Sequence, residues 1–144
     1  MKLEIHSYIG VGPIIFGMTA EEVRATLGRE YKEFKRTPIS KTITDAFQSL
    51  GIFVCYNINR KCIAVEMTRP AQPFYAGHEL ISGSFDKSFE LIHGFDPDVK
   101  TVEGGLTSIA LGIGLYAPGC GKDRLLPVES VMAFQLGYYD AKKK

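Results

Sequence analysis

Three cysteines and three histidines are the residues of this 144-residue chain whose side chains most often act as nucleophiles, proton carriers or metal ligands. A nucleophilic site needs a cysteine or serine beside a histidine that an acidic group orients. Cys62 and His78 are the candidate pair, but no G-x-S-x-G elbow occurs and no catalytic signature surrounds a cysteine. A free cysteine is more often a small buried apolar side chain, so we predict no catalytic residue.

The spacing of the cysteines does not favour a metal site. Cys55 and Cys62 are seven positions apart and Cys120 is remote in sequence. Structural zinc sites prefer C-x₂₋₄-C pairs with two further ligands, so we predict no bound metal. Cys55 and Cys62 are instead expected to pack, facing each other across a hairpin. An odd number of cysteines is a poor disulfide framework and agrees with a reducing compartment.

Two glycine-containing stretches match nucleotide-binding motifs only in part. Residues 119–123 read GCGKD, but a phosphate loop needs a glycine where Tyr116 stands and a serine or threonine where this chain has Asp123. Gly112 and Gly114 fall inside a predicted strand, where small residues indicate the close approach of another backbone. We therefore predict no nucleotide and no other cofactor.

Neighbouring carboxylates occur twice, in places that favour structural roles. Glu21 and Glu22 fall in the first turn of a predicted helix, where the helix dipole favours anions. Asp96 and Asp98 flank a proline, which is typical of a turn. Neither pair predicts a general acid and base.

Length and composition predict a single globular domain over residues 1–144. Hydrophobic residues make up 45% of the chain, and 17 basic residues nearly balance 16 acidic ones. Nucleic-acid binders cluster basic residues on one face, so we expect no nucleic-acid partner, and the basic run at 142–144 is typical of a solvated tail. The sequence contains no secretory signal and no apolar run of 18 residues, which predicts a cytoplasmic protein that makes no membrane contact.

Two segments predict short helices. Residues 20–27 follow Thr19, which forms the capping-box spacing with Glu22. A second helix is predicted after Ser84, because apolar side chains follow it at helical spacing. A helix of two turns is not stable alone, so both must pack on a sheet.

The strand pattern is clearest in the first half of the chain. Residues 2–9 alternate with a period of two, which predicts a half-buried strand. Residues 52–56 and 62–67 flank a polar turn and predict a β-hairpin. The first of these strands is apolar on both faces, which predicts an inner position in the sheet. Residues 69–83 contain two prolines and two glycines and are expected to be a connector.

In the second half, residues 109–117 and 128–136 predict two strands around the loop 118–127. The order of elements in residues 80–137 is similar to that in residues 14–68, which predicts an internal duplication. The predicted fold class is therefore α+β: one antiparallel β-sheet with two short helices on one face, built from duplicated helix–β-hairpin units.

Residues 15–28, IFGMTAEEVRATLG, resemble the opening of repeats in the BamE (SmpA/OmlA) and β-lactamase-inhibitor-protein superfamily. The shared pattern is GMT-x-x-E-V-x-x-x-L-G, a turn and helix that precede a hairpin. The resemblance implies helix-plus-hairpin units that bind other proteins and catalyse nothing. Members are usually exported, whereas this sequence shows no signal or lipid-modified N-terminal cysteine, and its second half lacks GMT. The whole chain also resembles small bacterial cytosolic proteins, some of which resemble immunity proteins of polymorphic or contact-dependent toxins.

Aromatic residues outside the predicted regular elements indicate a partner surface. Loops and chain ends usually face solvent, and tyrosine and arginine are enriched at protein interfaces. The alternative is that these side chains cover the edge of the core. The predicted partner-binding residues are Arg60, Arg69, Phe74, Tyr75, Tyr138, Tyr139 and Asp140.

These observations predict a protein-binding module rather than an enzyme. The expected function is that of an immunity protein, a monomer or weak homodimer, which neutralises a bacterial toxin domain by covering its active site. One alternative is a small enzyme or ligand-binding protein with a pocket between the two units, which a deep cavity containing Cys62 or His78 would favour. Another is a subunit that self-associates through its sheet edges.

Overall fold

The structure is a computed structural model that describes residues 1–139. Thirteen strands, two α-helices and a 3₁₀ turn (Gln48–Leu50) lie within these residues. The helices are α1 (Ala20–Leu27) and α2 (Phe85–Phe95). The strands are β1 (Lys2–His6), β2 (Gly10–Val11), β3 (Ile14–Ile15), β4 (Lys32–Phe34), β5 (Thr44–Phe47), β6 (Ile52–Tyr56), β7 (Cys62–Met67), β8 (Gln72–Tyr75), β9 (His78–Glu79), β10 (Thr101–Val102), β11 (Gly105–Ser108), β12 (Ile113–Tyr116) and β13 (Ser130–Phe134).

The larger sheet has eight antiparallel strands in the order β10-β11-β12-β13-β7-β6-β5-β4. Strands β4 to β7 form one meander and β10 to β13 form another, and each meander follows one helix. The two meanders meet where β13 pairs with β7, through the pairs Val131–Met67 to Phe134–Ala64. The two meanders therefore form one continuous antiparallel sheet.

The smaller sheet has five strands in the order β3-β2-β1-β8-β9. Its centre is a parallel pair, in which Leu3 of β1 lies beside Pro73 of β8. A parallel pair cannot be closed by a tight turn, and here α1 and strands β2 to β7 lie between the two strands in the chain. Leu3, Ile5 and Val11 of this sheet are buried in the same apolar cluster as the larger sheet and both helices.

Both helices lie on the same face of the larger sheet. A row of paired residues crosses this sheet from Asp45 on β5 to Ser108 on β11, and paired residues share a face. Arg24 of α1 donates to Asp45, and Asp96, which caps the end of α2, accepts a hydrogen bond from Ser108. These polar anchors fix the helices above the core and leave the other face of the sheet without a helix.

The predicted fold class is wrong. The chain is mostly β, with two sheets and only two short helices, and it is not a balanced α+β protein built from duplicated helix–hairpin units. Each helix precedes four strands rather than a two-stranded hairpin, and β1 to β3 with β8 and β9 form a sheet that the prediction lacked. The missed strands have two to four residues, too few for alternation to be recognised in the sequence.

Three segments differ from their predicted structure. The connector 69–83 contains β8 and β9, which pair although Pro73 lies in β8. The predicted strand 109–117 is shorter, and β11 precedes it as a separate strand. Cys55 and Cys62 do not face each other, because Cys55 pairs with Ala64 and a bulge follows it. All three cysteines are free and buried.

The local predictions around the helices are confirmed. Thr19 caps α1, and the reciprocal bond from the Thr19 backbone to the Glu22 side chain completes the capping box. Ser84 caps α2 by accepting a hydrogen bond from the Lys87 backbone. The hairpin of β6 and β7 forms as predicted, with β6 inside the sheet. Among residues 1–139, neither helix has the length and apolar character that crossing a membrane requires.

Candidate functional site

The face of the larger sheet opposite the helices is the candidate functional site, and we call it the open face. One row of paired residues on this face runs from Phe53 through Glu66 and Met132 to Gly114 and Thr107. All five residues are partly exposed. The neighbouring strand residue Tyr116 is 53% exposed. Alternate residues of β-strands point to opposite faces, so the same strands that build the core present this second surface.

An aromatic cluster covers one end of the open face. Tyr138 stacks on Phe134 with ring centroids 5.7 Å apart, and Tyr139 meets Phe134 edge-on at 5.0 Å. Tyr8, from the loop after β1, meets the other side of Phe134 and donates a hydrogen bond to the Ile109 carbonyl. The cluster buries Phe134, whereas Tyr139 stays partly exposed.

Gly112 makes this packing possible. It has a positive φ of 70°, and a Cβ there would lie 3.0 Å from the Tyr8 ring and 3.1 Å from the Phe134 carbonyl oxygen. The close approach predicted for this position is confirmed. Gly114 has more room, since a Cβ there would meet the Leu106 carbonyl at an ordinary 3.7 Å.

Two shallow depressions lie on the open face, on either side of Met132. The first, of about 200 Å³, lies between β5, β6 and the segment before β5, and Tyr138 borders it. The second, of about 220 Å³, lies over β7 and β11 to β13, and Tyr139 and Tyr116 border it. Drug-sized ligands generally occupy about 300–1,000 Å³, so these depressions suit single side chains better.

The charged groups of the open face are few and loosely paired. Arg36 Nη2 lies 3.4 Å from Glu66 Oε1 and 3.8 Å from Cys55 Sγ. The guanidinium also lies over the Phe34 ring, 5.9 Å from its centroid. Burial, the largest single influence, lowers the pKa of Arg36, but the Cys55 and Glu66 side chains together outweigh it and leave the pKa raised. A half-exposed arginine among aromatic rings is a frequent feature of protein interfaces.

The strongest ionic contact lies on the other face and is structural. Asp45 is completely buried and accepts two hydrogen bonds from Arg24, at 2.7 and 2.8 Å, and one from Tyr56 at 2.8 Å. Arg24 also bonds to Glu33 on the edge strand β4. The bond to Asp45 raises the pKa of Arg24, and burial followed by the Asp45 bond raises the pKa of Tyr56. This network holds α1 on the sheet.

The structure does not assemble the Cys62–His78 pair. Cys62 is fully buried in the main core, and burial raises its thiol pKa to about 12. His78 is exposed on β9, at the edge of the smaller sheet. Within residues 1–139, no group of three or more His, Cys, Asp or Glu side chains could hold a metal ion.

The two arginines predicted to bind a partner lie at opposite ends of β7. A six-residue strand separates them by about 20 Å. Arg60 bonds to Glu21 at 2.9 Å, beside the start of α1. Arg69 donates to the backbone carbonyls of Ile81 and Val128, so it joins two loops. The predicted residues therefore do not form a single surface.

The remaining predicted residues divide between two regions. Phe74 and Tyr75 lie on β8 of the smaller sheet, where Tyr75 packs edge-on against Phe95 at 5.2 Å. Tyr138 and Tyr139 lie at the open face, as described above. Asp140 lies outside the described residues.

Sequence reasoning missed the open-face residues on the strands, notably Arg36, Phe53 and Tyr116. Phe53 and Tyr116 lie in segments that are apolar throughout, so their outward orientation follows only from the register of the sheet. Once β6 and β7 are paired, alternation alone assigns Phe53 and Glu66 to the same face.

The chain matches no protein-family model, no curated protein and no solved structure. Its function is therefore argued from its own surface.

Proposed function

We propose that this chain is a protein-binding module that covers its partner with the open face, and that the partner is a bacterial toxin domain which the chain neutralises by steric occlusion. The observation that supports this proposal is the partial or full exposure of aromatic side chains and methionine around one arginine on an eight-stranded sheet. Tyrosine, methionine and arginine are enriched at interfaces, where a few such residues supply most of the binding energy.

The placement of these side chains on paired inner strands favours this role. Side chains that are already held by packing lose little conformational entropy on binding, so more of the contact energy becomes affinity. Phe53, Met132 and Tyr116 project from inner strands of the sheet, and Tyr139 is held against Phe134. A specific interface buries about 1,600 Å² in total, so we expect the partner to extend across both depressions.

The sheet edges do not favour self-association through strand pairing. The edge strand β4 has three residues, two of them charged, and the other edge strand, β10, has two residues. Short and charged edges are the usual protection against edge-to-edge pairing. The broad face, rather than an edge, is the surface we assign to the partner.

The test is co-expression of the chain with the toxin domain encoded by the neighbouring open reading frame, followed by calorimetry on the purified complex. We expect a tight complex that Tyr116→Ala weakens by at least about tenfold, in line with a residue at the centre of an interface. Phe95→Ala is the matched control, because Phe95 is 50% exposed, much as Tyr116 is at 53%, but it lies on α2.

Three outcomes would contradict the proposal as a whole, and a fourth would contradict its choice of face. One is the absence of a complex, and the second is an equal loss of affinity in both variants. The third is survival of cells that express the toxin domain without this chain. A loss confined to Phe95→Ala would move the interface to the Phe74–Tyr75 side of the molecule.

A further inference from the structure

The depression beside Arg36 has a chemical character of its own. It has a volume of about 200 Å³, and no carboxylate lines it. Besides two tyrosines, its lining includes one cation, three aliphatic hydroxyls, a thiol and a thioether, from Arg36, Ser40, Thr42, Thr44, Cys55 and Met132. A cation with neighbouring hydroxyl donors and apolar walls is a suitable environment for an anionic group.

Arg36 is held less firmly than Arg24, the partly buried arginine of the other face. Its contacts to Glu66 and Cys55, at 3.4 and 3.8 Å, are long, whereas Arg24 contacts Asp45 at 2.7 Å. Both contacts use the same nitrogen, and within residues 1–139 neither Nε nor Nη1 of Arg36 has an acceptor. The side chain is 50% exposed, so a group that arrives from solvent can reach the free Nε or Nη1. Each edge of the guanidinium that can hold a carboxylate also includes Nη2, so a bidentate ligand must take Nη2 from Glu66.

We propose that this depression binds the carboxylate of an aspartate or glutamate that the partner protein inserts between Arg36 and the Ser40–Thr44 segment. This inference rests on the proposed function and names the chemistry of the partner. The planar guanidinium pairs with a carboxylate through two parallel hydrogen bonds, a geometry that a single arginine can complete. A dianionic phosphate would leave a charge unmatched, because the lining holds one cation.

Glu66 acts in this arrangement as an internal competitor. It occupies Arg36 through one long contact in the free protein, and the incoming carboxylate displaces it. Removing its charge is therefore expected to strengthen binding of a carboxylate, whereas a merely structural Arg36–Glu66 pair would predict no gain. A gain in carboxylate affinity on removing the Glu66 charge therefore distinguishes a binding site at Arg36 from a purely structural ion pair.

The first experiment uses acetate as the probe of the isolated site. Isotope-labelled full-length protein is titrated with sodium acetate and, separately, with acetamide, the neutral molecule of the same shape, while the Arg36 Nε–Hε and Cys55 amide resonances are followed by NMR.

We expect a saturable shift with acetate only. Arg36→Gln should abolish it, and Glu66→Gln should lower the acetate Kd several-fold. Glu90→Gln, an equal change in charge on the exposed side of α2, should leave the Kd unchanged.

The second experiment uses the complex with the toxin domain. We expect Arg36→Gln to weaken the complex by about tenfold or more, as for a desolvated charge pair, and Glu66→Gln to maintain or increase its affinity. A complex that depends on Tyr116 but not on Arg36 would overturn this inference and leave the proposed function intact. Acetate binding at Arg36 without any complex would overturn the assignment of the carboxylate to a protein partner, and it would also contradict the proposed function.

Equal shifts with acetate and acetamide, or weaker acetate binding by Glu66→Gln, would likewise overturn the inference. Inorganic phosphate is the last arm of the titration. Binding of phosphate more tightly than acetate would replace the carboxylate by a dianion and overturn the class of ligand proposed here.

Discussion

Asp45 is the single charged side chain among residues 1–139 that the structure leaves with no exposed surface, and its position explains why α1 is held so firmly. Desolvation of a carboxylate costs several kcal/mol unless good hydrogen bonds offset it. Two bonds from Arg24 and one from Tyr56 supply this compensation. Asp45 is the shared acceptor of the network, and removing its charge leaves the buried Tyr56 hydroxyl and one edge of the Arg24 guanidinium without their acceptor.

We predict that Asp45→Asn lowers the free energy of unfolding by about 3–5 kcal/mol, the usual cost of breaking a buried ion pair from one side. Urea unfolding followed by circular dichroism measures this loss. The control is Asp86→Asn, because Asp86 contacts Arg124 at 2.7 Å, the same distance, but both side chains are about 40% exposed. Water screens an exposed pair, so this variant should lose less than about 1 kcal/mol. Equal losses would show that burial is not the deciding factor.

The thiol of Cys62 predicts a loss of stability in alkaline solution. Burial raises its pKa from an ordinary value of 9.0 to about 12. The unfolded chain therefore releases this proton at a lower pH than the folded chain, so the contribution to stability is complete below pH 9 and is lost as the pH rises toward 12.

We predict that replacing Cys62 with alanine lowers stability at neutral pH but makes it less sensitive to pH above 9. The difference in slope from the parent protein should approach about 1.4 kcal/mol per pH unit, the value for one proton. Urea unfolding at intervals between pH 8 and pH 11 measures it. Val65→Ala truncates the same strand without removing a titrating group, so its slope should match the parent. Parallel curves for all three proteins would refute the prediction.

At the scale of elements, the start of α1 combines a local cap with a tertiary contact. The Glu22 amide donates to Thr19 Oγ1, and the Thr19 amide donates to Glu22 Oε1, both at 3.1 Å. The amide of Ala20 donates to the Arg60 carbonyl, which ties the helix start to the turn between β6 and β7. The backbone bond from Thr19 is the main reason that the pKa of Glu22 is lowered.

We predict that Thr19→Ala destabilises the protein by about 1 kcal/mol, because it removes the acceptor for a free helix amide. Thermal and urea unfolding measure the change. Thr26→Ala is the matched control in the last turn of the same helix, where the exposed Thr26 hydroxyl donates to the Glu22 carbonyl. Alanine is the better helix former, so this variant should be neutral or slightly stabilising. A larger loss at Thr26 than at Thr19 would count against the cap.

The elements that could be predicted from the sequence are those whose signal lies within a few neighbouring residues, and the elements that were missed depend on distant residues. A capping box lies within four residues, so α1 could be recognised from Thr19 and Glu22 alone. The parallel contact between β1 and β8 pairs Leu3 with Pro73. These residues are 70 positions apart in the sequence, and no local sequence pattern predicts that they pair. Strands of two to four residues, such as β9 and β10, depend on that tertiary context for their existence.

The same reasoning applies to the candidate site. Tyr138 and Tyr139 could be selected because aromatic residues after the last strand are conspicuous in the sequence. Arg36 follows a three-residue edge strand, and Tyr116 ends an apolar segment, so their convergence on one face needs the register of the whole sheet. The sequence prediction also placed Arg60 and Arg69 on one surface. In the structure Arg60 bonds to Glu21 of α1 and Arg69 bonds to loop carbonyls, so the two do not form a common surface.

At the scale of the whole molecule, the junction between β7 and β13 decides whether the chain behaves as one body. Four residue pairs join the two meanders there, and the side chains of Val65, Met67, Val131 and Ala133 from both strands are buried in one apolar cluster. The smaller sheet adds Leu3 and Ile5 to the same cluster. Neither meander has a separate core that would keep it folded after the other opens, because both bury their apolar faces in this one cluster.

We therefore predict that the chain unfolds in a single cooperative transition. Far-ultraviolet circular dichroism and tyrosine fluorescence should give the same urea midpoint, as expected for a two-state domain of this size. Native-state hydrogen exchange provides the sharper measurement, because amides of β6 in the first meander and of β12 in the second should share the same highest free energy of opening.

The variant Ala133→Asp, which places a charge at the junction, should destabilise both groups of amides together. Val102→Asp, on the exposed edge strand β10, is the control that should leave both nearly unchanged. Separate midpoints, or protection that is lost in only one meander, would mean that the meanders fold independently and that the open face is not one rigid surface.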